Sequence, residues 1–349
     1  MIAGAIKRGV KSVAAQLCHA SRGGIHVSRG KVAILAYHRV VTSAELQRQY
    51  IEPGMYVRQD VFEMQVRWLM EHCNVISLSD LLQQWQVRAW DQGKPYCVLT
   101  FDDGWLDNYL YAFPILKKYQ VPASIFLPTN YIGSIEWFWP DKIAFLLTYL
   151  RQPQVTAMQR RSAREVIAKI PGAVKASFAG LEADNYLIIR EIIGRCKMLE
   201  PGQIGNIIHS LIDILGVSIP QERMTINWEE VKEMAQEGIS FGSHSCAHHL
   251  LTRLDERTIR QELQVSNQML RTLPEGYLPV FCYPNGDNTD SIQRLVKESG
   301  YVAAVGTRNG MEGRCPEKLY ELKRIGMHND VSETAELFSL HLVRAAWGF

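Results

Sequence analysis

The sequence lacks several features that would place it in a specialised class of protein. No window approaches the roughly 18 to 20 continuous apolar residues of a membrane-spanning helix, which predicts a chain that does not cross a bilayer. The 7 cysteines contain no CxxC pair and their number is odd, which argues against a zinc ribbon or a disulfide framework. A formal net charge of only +2 lacks the basic excess of nucleic-acid-binding proteins. These absences leave a globular chain of 349 residues, 47% hydrophobic, with reduced thiols and no nucleic-acid partner.

The N-terminal residues combine apolar and basic side chains at helical spacing. In MIAGAIKRGVKSVAAQLCH, apolar residues recur every three or four positions beside Lys7, Arg8 and Lys11. We therefore interpret residues 1–30 as a basic amphipathic segment, which packs on the domain or lies on an anionic membrane surface. Because the basic residues interrupt the apolar run, a cleaved secretory signal is the less favoured alternative. We expect a cytoplasmic protein, or one peripheral to the inner membrane, rather than a secreted one.

From residue 31 onward, short apolar runs alternate with amphipathic helical stretches. The runs KVAILAYHRV, PYCVLTF, PASIFLPT and PVFCYP have the composition of strands that are covered on both faces. Their alternation with helices is typical of an α/β domain with a mainly parallel sheet, open or closed. Between about residues 141 and 224, helical stretches such as DNYLIIREIIGRC replace this pattern. The sequence thus predicts one domain over residues 31–349, with a helical insertion at about 141–224.

Two adjacent carboxylates follow one of the predicted strands. In LTFDDG the strand leads into Asp102, Asp103 and Gly104, and the glycine permits a tight turn at which both acids can face one pocket. Neighbouring carboxylates repel each other unless a cation lies between them. A metal ion bound to one acid would leave the other available as a base. The alternative is a solvated turn, where these residue types are common.

Two histidines follow another predicted strand. In ISFGSHSCAHHL, His244 and His248 stand four positions apart, within reach of one ligand if the chain forms a helical turn there. Sites in parallel α/β folds lie at the C-terminal ends of strands, so this pair is expected at the same edge as Asp102 and Asp103. Two histidines and a carboxylate with open positions make a catalytic metal site. A histidine pair packed in the core is the alternative.

These motifs, taken together, resemble those of a known family. TFDDG after a strand, a His-Ser-x-x-His pair more than a hundred residues later and then a Tyr-Pro-x-Gly segment are similar to the polysaccharide deacetylases with a NodB homology domain. The runs LAYHRV and LPTNYIGS also resemble bacterial members of this family. The resemblance covers roughly residues 31–135 and 226–330, and it excludes the insertion and the first thirty residues.

The resemblance implies an enzyme that removes N-acetyl groups from an amino sugar in a polysaccharide or glycan precursor, in exopolysaccharide or cell-envelope synthesis. It also implies a distorted (β/α) barrel of mainly parallel strands and a divalent metal ion, zinc or else cobalt or nickel. By the family pattern, Asp102 is the base and Asp103, His244 and His248 bind the metal. The general acid corresponds to His328 in RIGMHND, although this histidine follows FCYPNG sooner than the pattern suggests.

The sequence departs from the family at the segment FCYPNG. Cys282 stands where many members have an arginine and Asn285 where they have a tyrosine, so the arginine that would orient the base is missing there. Arg324, in ELKRIG, is predicted to replace it from another strand end. Tyr283, Pro284 and Asn285 are assigned to substrate contact, and backbone N–H groups from Tyr283 to Gly286 are candidate donors to the oxyanion.

Two further residues are candidates for substrate contact, and alternative functions stay open. Trp139, in EWFWPDK, has a ring able to stack on a sugar, or else it packs the insertion. His38, at the end of LAYHRV, lines the pocket or forms hydrogen bonds within it. A zinc protease is disfavoured because Ser-Cys-Ala between His244 and His248 lacks a general-base glutamate. A two-His-one-carboxylate iron oxygenase and an inactive carbohydrate-binding relative are the remaining alternatives.

Overall fold

A computed structural model describes residues 30–48, 50–88, 90, 93–172 and 186–348 of the chain. The predicted N-terminal segment therefore lies outside the described residues except for Gly30. Contacts between Cα atoms divide the chain into two compact units, one formed by residues 1–43, 53–134 and 225–349 and the other by residues 44–52 and 135–224. Among the helices of the described residues, none combines the length and the apolar character needed to cross a membrane.

The strands all belong to the first unit. In chain order the described residues form β1 (Val32–Tyr37), β2 (Arg39–Val41), β3 (Tyr56–Arg58), β4 (Asn74–Val75), β5 (Tyr96–Phe101), β6 (Ala123–Leu127), β7 (Ile239–Ser243), β8 (Tyr277–Cys282), β9 (Ala303–Asn309) and β10 (Leu322–Gly326).

Helices occur in both units. In chain order they are α1 (Ser43–Arg48), α2 (Gln59–His72), α3 (Leu78–Val87), α4 (Phe113–Tyr119), α5 (Trp139–Tyr149), α6 (Ala157–Ile167), α7 (Tyr186–Cys196), α8 (Pro201–Leu215), α9 (Trp228–Gln236), α10 (Glu256–Leu270), α11 (Asp290–Glu298), α12 (Asn329–Ser332) and α13 (Ala335–Ala346). A π-helical turn at Asn108–Ala112 precedes α4.

A closed barrel of parallel strands forms the centre of the first unit. Strands β5 to β10 pair in chain order, β10 pairs with β1, and β1 returns to β5, so that the ring closes. The short β4 pairs with the start of β5, and β2 and β3 form a separate two-stranded sheet. This arrangement confirms the predicted distorted (β/α) barrel. It also settles the choice between an open and a closed sheet in favour of the closed one.

Alternating side chains of the strands form two layers of core. Ile34 and Val98 lie with Phe126 and Val280 in one buried cluster, whereas Leu35 and Leu99 belong to a second cluster. Successive side chains of a strand point to opposite faces, and burial on both faces explains why these strands are continuously apolar. β1 and β5 are buried at every position. The few buried polar side chains within the strands, such as Thr100 and Arg324, have hydrogen-bond partners inside the barrel.

Helix starts in the first unit are fixed by side-chain caps. The hydroxyl or carboxamide oxygens of Ser77, Asn227 and Thr289 each accept a hydrogen bond from the backbone N–H three residues later. Such caps satisfy N–H groups that have no partner within the helix. The caps begin α3, α9 and α11 at defined residues.

The second unit is helical and has a core of its own. Helices α5 to α8 bury a cluster that includes Ile143, Leu147, Ile189, Ile208 and Leu211. This unit also takes in residues 44–52, which the sequence had assigned to the strand-containing part of the chain. Its boundary at residue 135 lies a few residues before the predicted start of the insertion at about 141.

The ends of the inserted segment are anchored on the barrel side by hydrogen bonds. The N–H of Gly133 donates to the carbonyl of Ile226 at 2.9 Å, and the hydroxyl of Thr225 donates to the carbonyl of Tyr131 at 2.6 Å. The N–H of Ile226 in turn donates to the carbonyl of Gly104, in the turn that follows β5. The chain therefore leaves the first unit and returns to it at neighbouring points.

Candidate active site

The two adjacent carboxylates lie at the end of β5 in a sharply turned segment. Asp103 has a φ angle of 72° and Gly104 one of 61°, both in the left-handed region. A Cβ atom at Gly104 would lie 2.7 Å from Cδ2 of Leu127, so a side chain at this position would clash. Left-handed angles at non-glycine residues cost conformational energy, and they are enriched at active sites. The turn keeps Asp102 and Asp103 buried, at 3% and 5% exposure, although both are acids.

The two histidines follow β7 in a loop rather than in the helical turn considered from the sequence. Ser245 and His248 have φ angles of 64° and 56°. The hydroxyl of Ser245 accepts a hydrogen bond from the N–H of His248 at 3.0 Å. Nothing in the spacing of four residues distinguishes such a loop from a helix, because both bring the two rings together.

A glutamate from α10 holds the middle of this loop. Oε2 of Glu262 accepts hydrogen bonds from the N–H groups of Cys246 at 2.8 Å and Ala247 at 2.9 Å. Both amides belong to the segment between the two histidines. Glu262 therefore fixes the backbone that carries them, a role that sequence analysis missed because the residue lies on a separate helix.

The predicted metal ligands converge on one point. Nε2 of His244 lies 3.4 Å from Oδ1 of Asp103, and Nε2 of His248 lies 3.2 Å from the same oxygen. Four ligands held about 2.1 Å from a tetrahedral zinc ion are about 3.4 Å from one another. The three donor atoms are thus spaced as ligands of one small divalent ion. The structure brings together Asp103, His244 and His248, as the sequence predicted.

The pKa values of Asp103 and His248 suit metal binding, whereas that of His244 opposes it. Burial would raise the pKa of Asp103, but its contacts with His244 and His248 outweigh burial and hold that pKa well below its usual value. Burial lowers the pKa of His248 and favours its neutral imidazole. Nδ1 of His244 lies 2.8 Å from the carbonyl of Cys282, which can only accept, so Nδ1 carries a proton and Nε2 is the nitrogen that faces Asp103. Burial would lower the pKa of His244, but its contacts with Cys282 and Asp103 raise that pKa well above its usual value, so a metal ion would have to displace a proton from Nε2. An ionised carboxylate and neutral imidazoles are the forms that bind metals.

Asp102 has a different partner. Arg324 is a buried residue of β10. Its Nη1 and Nη2 donate to Oδ1 and Oδ2 of Asp102, at 2.7 Å each. Burial would raise the pKa of Asp102, but the charge and hydrogen bonds of Arg324, together with His38 and His244, lower it below its usual value. The structure thus places Arg324 where the sequence predicted a replacement for the missing arginine. Its orienting role stays a prediction.

A second group of potential metal ligands is occupied by this arginine. Asp102, His244 and Cys282 also offer donor atoms close to one another. Nη2 of Arg324 lies 3.2 Å from Sγ of Cys282 as well as bonding to Asp102. A guanidinium already supplies the positive charge between these groups, so a metal ion is not needed there.

His38 lies beside Asp102, just after the end of β1. β1 and β5 are paired up to Tyr37 and Phe101, and continuing this register places His38 next to Asp102. Nε2 of His38 is 3.8 Å from Oδ2 of Asp102, and the side chain is 26% exposed. His38 therefore lies in the site, in agreement with its prediction as a pocket residue.

Several polar groups of the segment Tyr283–Gly286 form hydrogen bonds within the fold. The Tyr283 side chain is buried, and its hydroxyl donates to the carbonyl of Tyr320. The N–H of Tyr283 donates to Val305 and that of Gly286 to Tyr283, while Pro284 has no N–H. The N–H groups of Tyr283 and Gly286 and the hydroxyl of Tyr283 are therefore used within the fold. Contact of this segment with substrate or with an oxyanion stays a prediction. Pro284 is buried, whereas Asn285 is exposed and has a φ angle of 59°.

The structure does not bring the other two predicted residues into these contacts. Nδ1 of His328 pairs with Asp330, and His328 itself precedes α12. Trp139 begins α5 in the second unit, where it packs against the helical core. This placement favours the alternative in which the Trp139 ring packs the insertion.

Solved structures support the fold. Streptococcus pyogenes deacetylase PplD in complex with acetate superposes with a TM-score of 0.56 over 91% of this chain and 99% of its own, at 19% sequence identity. The likeness shows that the chain shares the distorted (β/α) barrel fold of this structure. This barrel differs from the all-β jelly rolls that are usual for two-His-one-carboxylate oxygenases. The fold therefore disfavours the oxygenase alternative, by analogy.

Sequence comparisons point to the same group of proteins. The profile of the polysaccharide deacetylase family matches residues 90–166 and 212–304 of this chain. The Bacillus subtilis protein YxkH is 22% identical over 306 residues, which cover 87% of this chain and 74% of YxkH. Poly-β-1,6-N-acetyl-D-glucosamine N-deacetylase of Staphylococcus epidermidis is 35% identical over 81 residues. That match spans 22% of this chain and 27% of the relative.

Proposed function

We propose that this protein is a metal-dependent N-deacetylase that hydrolyses the N-acetyl group of an amino sugar in a polysaccharide or glycan precursor. The observation that carries the proposal is the division of labour between two adjacent acids. Asp103 converges with His244 and His248, whereas Asp102 is paired with Arg324 and stands beside His38. One acid is thus suited to hold an ion and the other to move a proton.

The residues of the chain suggest how the reaction proceeds. A divalent ion held by Asp103, His244 and His248 would polarise the amide carbonyl and make water more acidic. Asp102, ionised and fixed by Arg324, takes the proton from the attacking water. The departing nitrogen must then receive a proton, because an amine anion is too basic to leave. We favour zinc for this donor set, with cobalt or nickel as alternatives.

A direct assay tests this function. Full-length protein is stripped of metal and given zinc, cobalt or nickel, and acetate release is measured from oligomers of β-1,6-linked N-acetylglucosamine and from other N-acetylated glycans. The relative from Staphylococcus epidermidis supports the first of these substrates. Metal-dependent release of acetate is expected. Sugar binding with no acetate release under any metal would instead favour the inactive carbohydrate-binding relative.

The proton for the leaving amine has two histidine candidates, and we propose His38. Its Nε2 lies 3.8 Å from Asp102, whereas His328 is paired with Asp330. Imidazoles exchange protons near neutral pH. Changing His38→Ala is expected to slow hydrolysis of an N-acetyl sugar by about 100-fold, the scale of general acid catalysis.

The same variants on two substrates assign the role. An acetate ester with a good leaving group needs no proton, so His38→Ala should affect its hydrolysis far less. His328→Ala is the matched comparison, with metal content measured for both. If His328→Ala shows the loss confined to the amide and His38→Ala does not, the acid is His328, as the family pattern implied.

Arg324 gives a prediction about pH. Its positive charge opposes the effect of burial on Asp102, so Arg324→Gln is expected to raise the pKa of this acid. Activity requires ionised Asp102, and the rate therefore falls as the pH drops through that pKa. The acid limb of the profile of kcat/KM against pH should move to higher pH in Arg324→Gln. Arg308→Gln, on the exposed end of β9, should leave the limb in place. Equal profiles for the two variants would contradict the pairing role.

A further inference from the structure

A third acid follows the two site carboxylates and has no part in the proposed function. Asp107 is buried, and its Oδ2 accepts a hydrogen bond from Nε of Arg39 at 2.7 Å. Its Oδ1 accepts from the N–H of Val40 at 3.0 Å. A buried acid is stable only when its charge and lone pairs are matched in this way. The pair joins the turn after β5 to β2.

Arg39 in turn packs against an aromatic ring. Its Cζ lies 4.6 Å from the centre of the Trp105 ring, and both side chains are buried. Cations are attracted to the face of an indole, and more strongly where water is excluded. With Asp107 fixing the guanidinium and the guanidinium lying on the ring, the orientation of Trp105 is determined by residues outside the metal site.

The indole reaches the metal site through one hydrogen bond. Nε1 of Trp105 donates to Oδ2 of Asp103 at 3.0 Å. The other oxygen of Asp103, Oδ1, is the one that faces His244 and His248 at 3.4 and 3.2 Å. The two oxygens of this carboxylate therefore have separate partners.

We infer that Trp105, held by Arg39 and Asp107, is a positioning residue that leaves Asp103 a single oxygen for the metal ion. The inference rests on the metal site of the proposed function. Hydrogen bonds to the second oxygen of a ligating carboxylate fix its orientation. One-oxygen ligation keeps a coordination position open, as catalytic metal sites require.

The test removes the indole N–H and keeps an aromatic ring. Trp105→Phe in the full-length chain is compared with Trp85→Phe as a control. In the same unit, the indole N–H of Trp85 donates to the carbonyl of Gly313 at 3.1 Å, so this control also removes an indole hydrogen bond. Zinc and cobalt affinities are measured by competition with a chromophoric chelator. Trp105→Phe is expected to bind each metal about tenfold more weakly, the lower end of the effect for residues that orient metal ligands. Trp85→Phe is expected to bind with the wild-type affinity. The visible spectrum of the cobalt-saturated protein should change only in Trp105→Phe.

The outcomes separate this inference from the proposed function. If the wild-type chain binds neither metal, the metal site itself is wrong. If the wild type binds metal and Trp105→Phe matches Trp85→Phe in affinity and spectrum, the site stands and the positioning role is overturned. Tighter binding by Trp105→Phe would also overturn it.

A double variant tests the connection through Arg39. Asp107→Asn removes the charge that holds the guanidinium and is expected to weaken metal binding by a few-fold, because the ring is less firmly placed. Combined with Trp105→Phe it should cause no further loss, since both changes act through the same hydrogen bond to Asp103. Thermal unfolding of the metal-free proteins identifies variants that fail to fold. If Asp107→Asn is one of them, the positioning role is decided by the Trp105→Phe measurements alone. Additive losses would show that Asp107 acts by another route.

Discussion

Replacing Asp103 by alanine is expected to abolish metal binding and acetate release together. Its Oδ1 is the atom on which both histidine nitrogens converge, so its loss removes a ligand and the negative charge at the centre of the site. His244→Ala and His248→Ala should give the same paired loss. Metal content by mass spectrometry and acetate release, measured on the same preparations, test this expectation.

A matched control comes from the second unit. His209 is an exposed histidine on α8 whose Nδ1 bonds to the carbonyl of Gly205. His209→Ala should leave metal content and turnover unchanged. This result would show that the losses in the other variants come from the site and not from the removal of a histidine in general. Full metal occupancy in a triple variant of Asp103, His244 and His248 would refute the ligand assignment.

Asp102→Asn is expected to separate chemistry from metal binding. The substitution keeps the size of the side chain and one oxygen for Arg324, but it removes the group that accepts the proton. Turnover should fall by about 100-fold or more, the usual scale for a positioned base. Metal affinity should stay close to the wild-type value, because the ligating atoms belong to Asp103 and the two histidines.

The stability of this variant is part of the same experiment. Removing one partner of a buried ion pair lowers the free energy of unfolding by about 3–5 kcal/mol. The loss should be smaller in Asp102→Asn, because the asparagine can still accept a hydrogen bond from Arg324. Chemical denaturation with and without metal shows whether the slow variant is still folded under assay conditions. A folded, metal-loaded Asp102→Asn protein with the wild-type rate would mean that another group is the base.

Much of the site could be predicted because strand ends in a parallel barrel meet at one edge. Asp102 and Asp103 follow β5, and His244 follows β7, so position in the chain was enough to bring them together. Arg324 was accessible to the same reasoning, since β10 and β5 both pair with β1. Bringing these residues to one edge needed only the order and direction of the strands, whereas their separate roles and the choice of Arg324 came from the family resemblance.

The direction of individual side chains was beyond this reasoning. Tyr283 follows β8 at the same edge, yet its ring turns into the core and its hydroxyl bonds to Tyr320. Glu262 and Trp105 were missed because their roles depend on individual hydrogen bonds, two between Glu262 and the loop of the histidines and one from Trp105 to Asp103. The left-handed φ angles of Asp103, Ser245 and His248 have no signature in composition or periodicity, since glycine is the residue that usually signals them.

The hydrogen bonds that join Tyr131 and Gly133 to Thr225 and Ile226 have a consequence for how such chains diversify. The segment between these points starts and ends at one closed junction, so its length and sequence can change while the register of β6 and β7 stays the same. Insertions are tolerated where the backbone enters and leaves at adjacent positions. The junction is also tied to Gly104 beside the paired acids. A lineage can therefore vary the segment between residues 135 and 224 while the edge of the barrel that carries Asp102 and Asp103 is inherited intact.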